Sequence, residues 1–139
     1  MKKNIVLLAL AVVLTACQDP VRQIAGTYSY KISGRVTIDD TEHVLTDEMG
    51  AMDIVHISAD SALLTFNSFT GPAYYTIAIV QEKSIEIEPY ERDIQVGVKE
   101  YHVSARGSGD LYDETIIIQL QYSSSELEAD ELTLLCKKN

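Results

Sequence analysis

The chain has 139 residues, of which 46% are hydrophobic and 23% charged, which is enough for one domain with its own core. Eleven Lys and Arg face twenty-one Asp and Glu, for a formal net charge of −10. That balance argues against a nucleic-acid binder, which needs cations for phosphates, and against electrostatic adhesion to anionic lipid.

The chain opens on Lys2 and Lys3, followed by an uncharged apolar run from Ile5 to Leu14. The run is shorter than the roughly 20 residues a spanning helix needs. With its basic start and the small residues Thr15 and Ala16 at its end, it reads as a cleaved secretory leader over residues 1–16. Leu14-Thr15-Ala16-Cys17 resembles a bacterial lipobox, in which the cysteine thiol receives a diacylglyceryl group and becomes the first mature residue. The alternative is an ordinary leader cut after Ala16. The resemblance implies lipidation at Cys17 and anchorage to a membrane through that lipid. Gln18 rather than Asp follows the cysteine, which implies the outer membrane, with its periplasmic or surface face open. Residues 17–23 read as the lipidated cysteine and a polar tether, and residues 24–139 as the domain.

From Tyr28 onward the period is two. Tyr28, Tyr30 and Ile32 alternate with polar residues, Gly34 bends the chain, and Val36 and Ile38 resume. A turn follows at 38–40, then a short strand at 42–46 and a second at 52–58 with apolar residues on both faces. Further strands are expected at 62–69, 73–80 and 84–88, the last ended by Pro89. Residues 93–105 alternate but switch parity near Gly97, the pattern of a β-bulge. Thr115 to Ser123 forms another strand, residues 123–131 a polar connection with a helical turn, and 132–138 the last strand. Eight to nine short strands without a long helix predict an all-β fold, an up-and-down antiparallel barrel of about eight strands, with a β-sandwich as the alternative. Such a barrel is just filled by its side chains or holds one small ligand.

Ile24-Ala25-Gly26-Thr27-Tyr28 resembles the Gly-x-Trp start of lipocalins and related calycins, with Tyr28 in place of tryptophan. Residues 107–122 and 131–138 resemble the closing hairpins of small calycin-like lipoproteins of Bacteroides-type bacteria. The resemblance implies a ring plugging the closed end of a barrel against a basic side chain, here Tyr28 with Lys137 or Arg106.

Candidate chemistry is sparse. His43, His56 and His102 lie in no nucleophile motif, and no catalytic residue is assigned. Acids near His43 and His56 follow no calcium-loop or zinc spacing, so no metal or other cofactor is expected. Cys136, in step with Leu132 and Leu134, reads as a buried thiol. Eight tyrosines exceed two phenylalanines and no tryptophan is present. A tyrosine ring has an apolar body and a polar tip, which suits a barrel interior. Tyr28, Tyr30, Tyr75, Tyr101 and Tyr122 are therefore the candidate cavity-lining residues. The expectation is a lipid-anchored, non-enzymatic envelope protein that binds a small apolar or amphipathic ligand. The alternative is a filled barrel acting as a structural or protein-interaction module of the envelope.

Overall fold

A computed structural model describes residues 19–139, so the leader and the lipidation expected at Cys17 lie outside the described residues. Eight strands follow a short helix: α1 Pro20–Ile24, β1 Gly26–Ile38, β2 Thr41–His56, β3 Ser61–Ser68, β4 Tyr74–Val80, β5 Ser84–Val96, β6 Lys99–Leu111, β7 Thr115–Ser123 and β8 Leu127–Lys138. Each pairs antiparallel with the next, and β8 returns to β1, which closes an up-and-down barrel. Closure leaves the sheet without first and last edges, the exposure that an apolar-faced open sheet would carry. The barrel expected from the alternation is thus the observed fold, and the sandwich is not.

Three local expectations change. Pro89 does not end its strand: β5 runs through it, and the register with β6 shifts between Ile87 and Tyr90. Proline supplies no N–H to a neighbouring strand, and the ladder between β4 and β5 covers only Ala78–Val80 against Ile85–Ile87. The parity switch near Gly97 is a two-residue hairpin rather than a bulge, since Val96 pairs with Lys99. Gly97 has φ of 64°, which suits the first central position of such a turn. The polar stretch after Ser123 is largely strand. Leu127 and Ala129 are buried while Glu128, Asp130 and Glu131 face water, and the Ser124 hydroxyl accepts from the N–H groups of Glu126 and Leu127 at the turn.

β2 is also one strand where two were expected. It pairs with β1 from Thr41 to Ile54, with a register shift opposite Ile32 and Gly34. Gly34 has φ of 145°, and a Cβ there would meet the Glu131 carbonyl at 2.8 Å. Only glycine fits this corner, where the β1–β8 ladder is interrupted between Ser33 and Thr37.

The residues read as tether belong partly to the domain. Asp19 caps α1 by accepting from the Arg22 N–H at 2.8 Å, and Pro20 occupies the first turn, where its missing donor costs nothing. Val21 and Ile24 are buried beneath the barrel, and the Tyr28 hydroxyl donates to the Ile24 carbonyl at 2.8 Å. The helix therefore plugs one end. The cation near Tyr28 is Lys138, its Nζ 5.9 Å from the ring centroid, rather than Lys137 or Arg106. Arg106 instead donates to Gln121. Between this closed end and the middle, Met52, Leu64, Phe66, Ile85, Ile116, Ile118, Leu132 and Cys136 are buried. Ala62 and Ala78, facing each other on β3 and β4, are also fully buried. At ~25 cal/mol per Å² of apolar area, each large side chain here contributes about 1.5–3 kcal/mol.

Candidate functional site

The barrel is lopsided. β3 ends at Ser68 and β4 begins at Tyr74, so β2 before Gly50 has no ladder on the β3 side. On β5, residues beyond Ile87 have no ladder on the β4 side. The Thr76 hydroxyl donating to the Glu88 carbonyl at 3.0 Å is a side-chain bridge across this seam. β2 and β5 draw to within 8 Å of each other, Cα to Cα. What joins them is an ion pair, Glu48 on β2 and Arg92 on β5.

Parity places both side chains inward. Glu48 shares a face with Gly50, Met52 and Ile54, and Arg92 shares one with Ile94. Arg92 Nη2 donates to Glu48 Oε1 at 2.6 Å, and Nη1 to Oε2 at 3.2 Å, a two-pronged contact. Glu48 Oε2 also accepts from the Tyr74 hydroxyl at 2.5 Å and from the Tyr30 hydroxyl at 3.0 Å. Nη1 reaches the hydroxyl oxygens of Tyr74 at 2.7 Å and Tyr122 at 3.4 Å. The guanidinium lies 4.0 Å from the Tyr74 ring centroid. Tyr74 in turn stacks on Phe66 at 4.8 Å and Tyr90 at 5.9 Å, and Tyr30 meets Phe66 edge-on at 5.2 Å. Side-chain exposure is 11% for Arg92 and 16% for Glu48, so the pair is mostly but not wholly withdrawn from water. One donor is left over: Arg92 Nε is buried with no acceptor among the described residues.

Protonation follows from this geometry. Burial alone would raise the Glu48 carboxyl, but the Arg92 fork and charge and the two phenol donors outweigh it, leaving it below the usual carboxylate range. Burial would lower Arg92, yet the Glu48 contact raises it. Burial raises Tyr30, Tyr74 and Tyr90 well above ordinary phenols, and pushes Tyr122 up to about 12. Near neutral pH the acid is charged, the base is charged and the phenols keep their protons. Such a cluster holds position and donates hydrogen bonds. It has no group poised to exchange a proton near pH 7.

Of the five candidate tyrosines, Tyr30 and Tyr122 meet at this cluster. Tyr28 serves the closed end instead, and Tyr101 is half-buried with Lys99 Nζ 4.9 Å from its ring. Tyr75 is 71% exposed and points outward, which corrects its placement in the interior. The inward face of β4 carries Tyr74, Thr76, Ala78 and Val80. Glu48, Phe66, Tyr74, Tyr90 and Arg92 were not anticipated. The signal was present in parity, since a charged residue in step with Ile94 on one strand and with Met52 on another must either break the barrel or find a partner.

The histidines lie elsewhere. His56 Nε2 is 3.2 Å from Asp19, tying α1 to β2. His102 is exposed between Asp93 at 2.8 Å and Glu91 at 3.0 Å, one on each ring nitrogen, and these partners raise its pKa. Among the described residues no three His, Cys, Asp or Glu side chains converge as a metal site. Two surface depressions, of about 590 and 1080 Å³, lie outside the barrel near the closed end, and none of the candidate tyrosines lines either.

Fold and cluster together define a closed eight-stranded up-and-down barrel with a charged, tyrosine-ringed cluster inside its open half. Two solved structures share the fold. A redesigned β-barrel has a TM-score of 0.52 at 10% identity, with 88% of this chain and 97% of that one covered. EF1p2_mFAP2b, bound to DFHBI, has a TM-score of 0.55 at 12% identity, with 88% and 98% covered. No protein-family profile matches the chain, and no curated protein matches it significantly.

Proposed function

We propose that this protein is a lipid-anchored, non-enzymatic barrel of the bacterial outer membrane, of calycin type, that binds a small amphipathic ligand in its open half. The observation that carries the ligand is Arg92 Nε, a buried N–H without an acceptor among the described residues. An unmet buried donor costs about 1–3 kcal/mol, which an acceptor atom of a bound molecule recovers. The β4–β5 ladder ends at Ile87, and the partly buried ring of Tyr90 beyond it is the apolar surface a ligand would meet. A structural neighbour bound to DFHBI supports small-molecule binding by this architecture. The anchor is supported by Leu14-Thr15-Ala16-Cys17.

Native mass spectrometry of protein purified from its own membranes tests the ligand. A small molecule should co-purify and should be lost in Arg92→Met. A bare mass, combined with an unchanged melting temperature across a panel of amphipathic compounds, rejects the binding reading. The second reading, a filled barrel that meets an envelope protein, draws on Met49, Phe69 and Tyr75, large apolar side chains exposed on the outside. Crosslinking from Phe69 in intact cells would then trap a protein where no ligand is found.

A further inference from the structure

We propose that the closed end of the barrel is a lipid-facing surface and that the open half, with its Glu48–Arg92 cluster, points away from the bilayer. The inference rests on the lipid anchor at Cys17 and extends it. Two peptide steps separate Cys17 from Asp19, a reach of at most about 7 Å. Asp19 itself is fixed: it caps α1, pairs with Arg22 at 3.2 Å and with His56 at 3.2 Å. Val21 has no exposed surface, so α1 is seated in the barrel rather than trailing from it. A lipid on Cys17 is therefore held within a few ångströms of the closed end, with no long spacer to let the domain turn over.

A further feature points the same way. Tyr112 is also exposed at the turn between β6 and β7, and a tyrosine suits the headgroup level with its apolar body and polar tip. Val98, fully exposed at the tip of the β5–β6 hairpin, lies at the opposite end. Thirteen-residue strands tilted by about 35–45° separate the two ends by roughly 30 Å.

The test uses the full lipidated chain in phosphatidylethanolamine–phosphatidylglycerol vesicles that carry a nitroxide on the headgroup. Tyr112→Cys and Val98→Cys are each labelled with a fluorophore, and the unsubstituted chain, whose Cys136 is buried, is the labelling blank. Most of the emission at position 112 should be lost and almost none at position 98. Equal quenching, or the reverse order, in protein whose N-terminal peptide carries the lipid mass overturns the orientation alone. Absence of the lipid mass overturns the anchor and the orientation with it.

Discussion

Replacing Arg92 with methionine keeps much of the side-chain volume and removes the charge that Glu48 faces. The carboxylate is then left with the Tyr30 and Tyr74 hydroxyls and 16% exposure. Stranding one member of a buried pair costs about 3–5 kcal/mol, and the partial exposure of Glu48 favours the lower end through water screening. A loss of about 3 kcal/mol is large against the 5–15 kcal/mol of a typical domain. With an m-value of about 1–3 kcal/mol per molar, the urea midpoint falls by about 1–3 M. Unfolding followed by far-UV circular dichroism reads this directly. The double variant Glu48→Leu/Arg92→Met should recover much of the loss, because no charge is stranded. A single substitution costing under about 1 kcal/mol would refute the reasoning and mark the pair as screened by solvent. So would a double variant whose loss is the sum of its singles.

Acid should weaken the same contact. Glu48 has a folded pKa below its ordinary value of 4.5, so its contribution is present above that pH and is lost as pH falls through the folded value. Melting temperatures measured from pH 6 to pH 3 should fall more steeply in the parent than in Glu48→Gln. His102 is the opposite case. Its pKa is raised above 6.5 by Asp93 and then Glu91, so the stabilised imidazolium is fully present below 6.5 and is lost as pH rises through the folded value. An NMR titration should place its midpoint above 6.5, and Asp93→Asn should lower it. At the β1–β2 turn, Asp39 and Asp40 have φ of 50° and 61°. Asp40→Gly relieves left-handed strain and should stabilise the fold by about 1 kcal/mol, seen as a higher urea midpoint.

Much of the barrel was legible because its strands are apolar on one side. Ile116, Ile118, Leu120 and Tyr122 could face only one way, and they line the interior. The errors arose where both faces are apolar or where a rule has an exception. In Tyr74–Val80 the candidate assigned to the interior was Tyr75, yet the residues inside are Tyr74, Thr76 and Ala78. Small side chains at Thr76 and Ala78 leave room for Phe66, Leu64 and Ile87. Pro89 could sit within β5 because no β4 carbonyl required its missing donor there. The ion pair was hidden for a different reason. Glu48 and Arg92 are 44 positions apart, and no local spacing connects a carboxylate on one strand with a guanidinium on another. Strand parity marks each as misplaced, but only the three-dimensional register makes them partners.

The seam between β1 and β8 governs how the molecule can be made. Ser29 and Asn139 hydrogen-bond across 110 positions, and Lys138 stands opposite Tyr28. The ring thus shuts last, when the tail reaches the head, and every other strand pairing is between neighbours in the chain. Until then the first seven strands form a gaping sheet with two raw margins, the state most exposed to sticking. A chain cut before Leu127 would stay in it permanently.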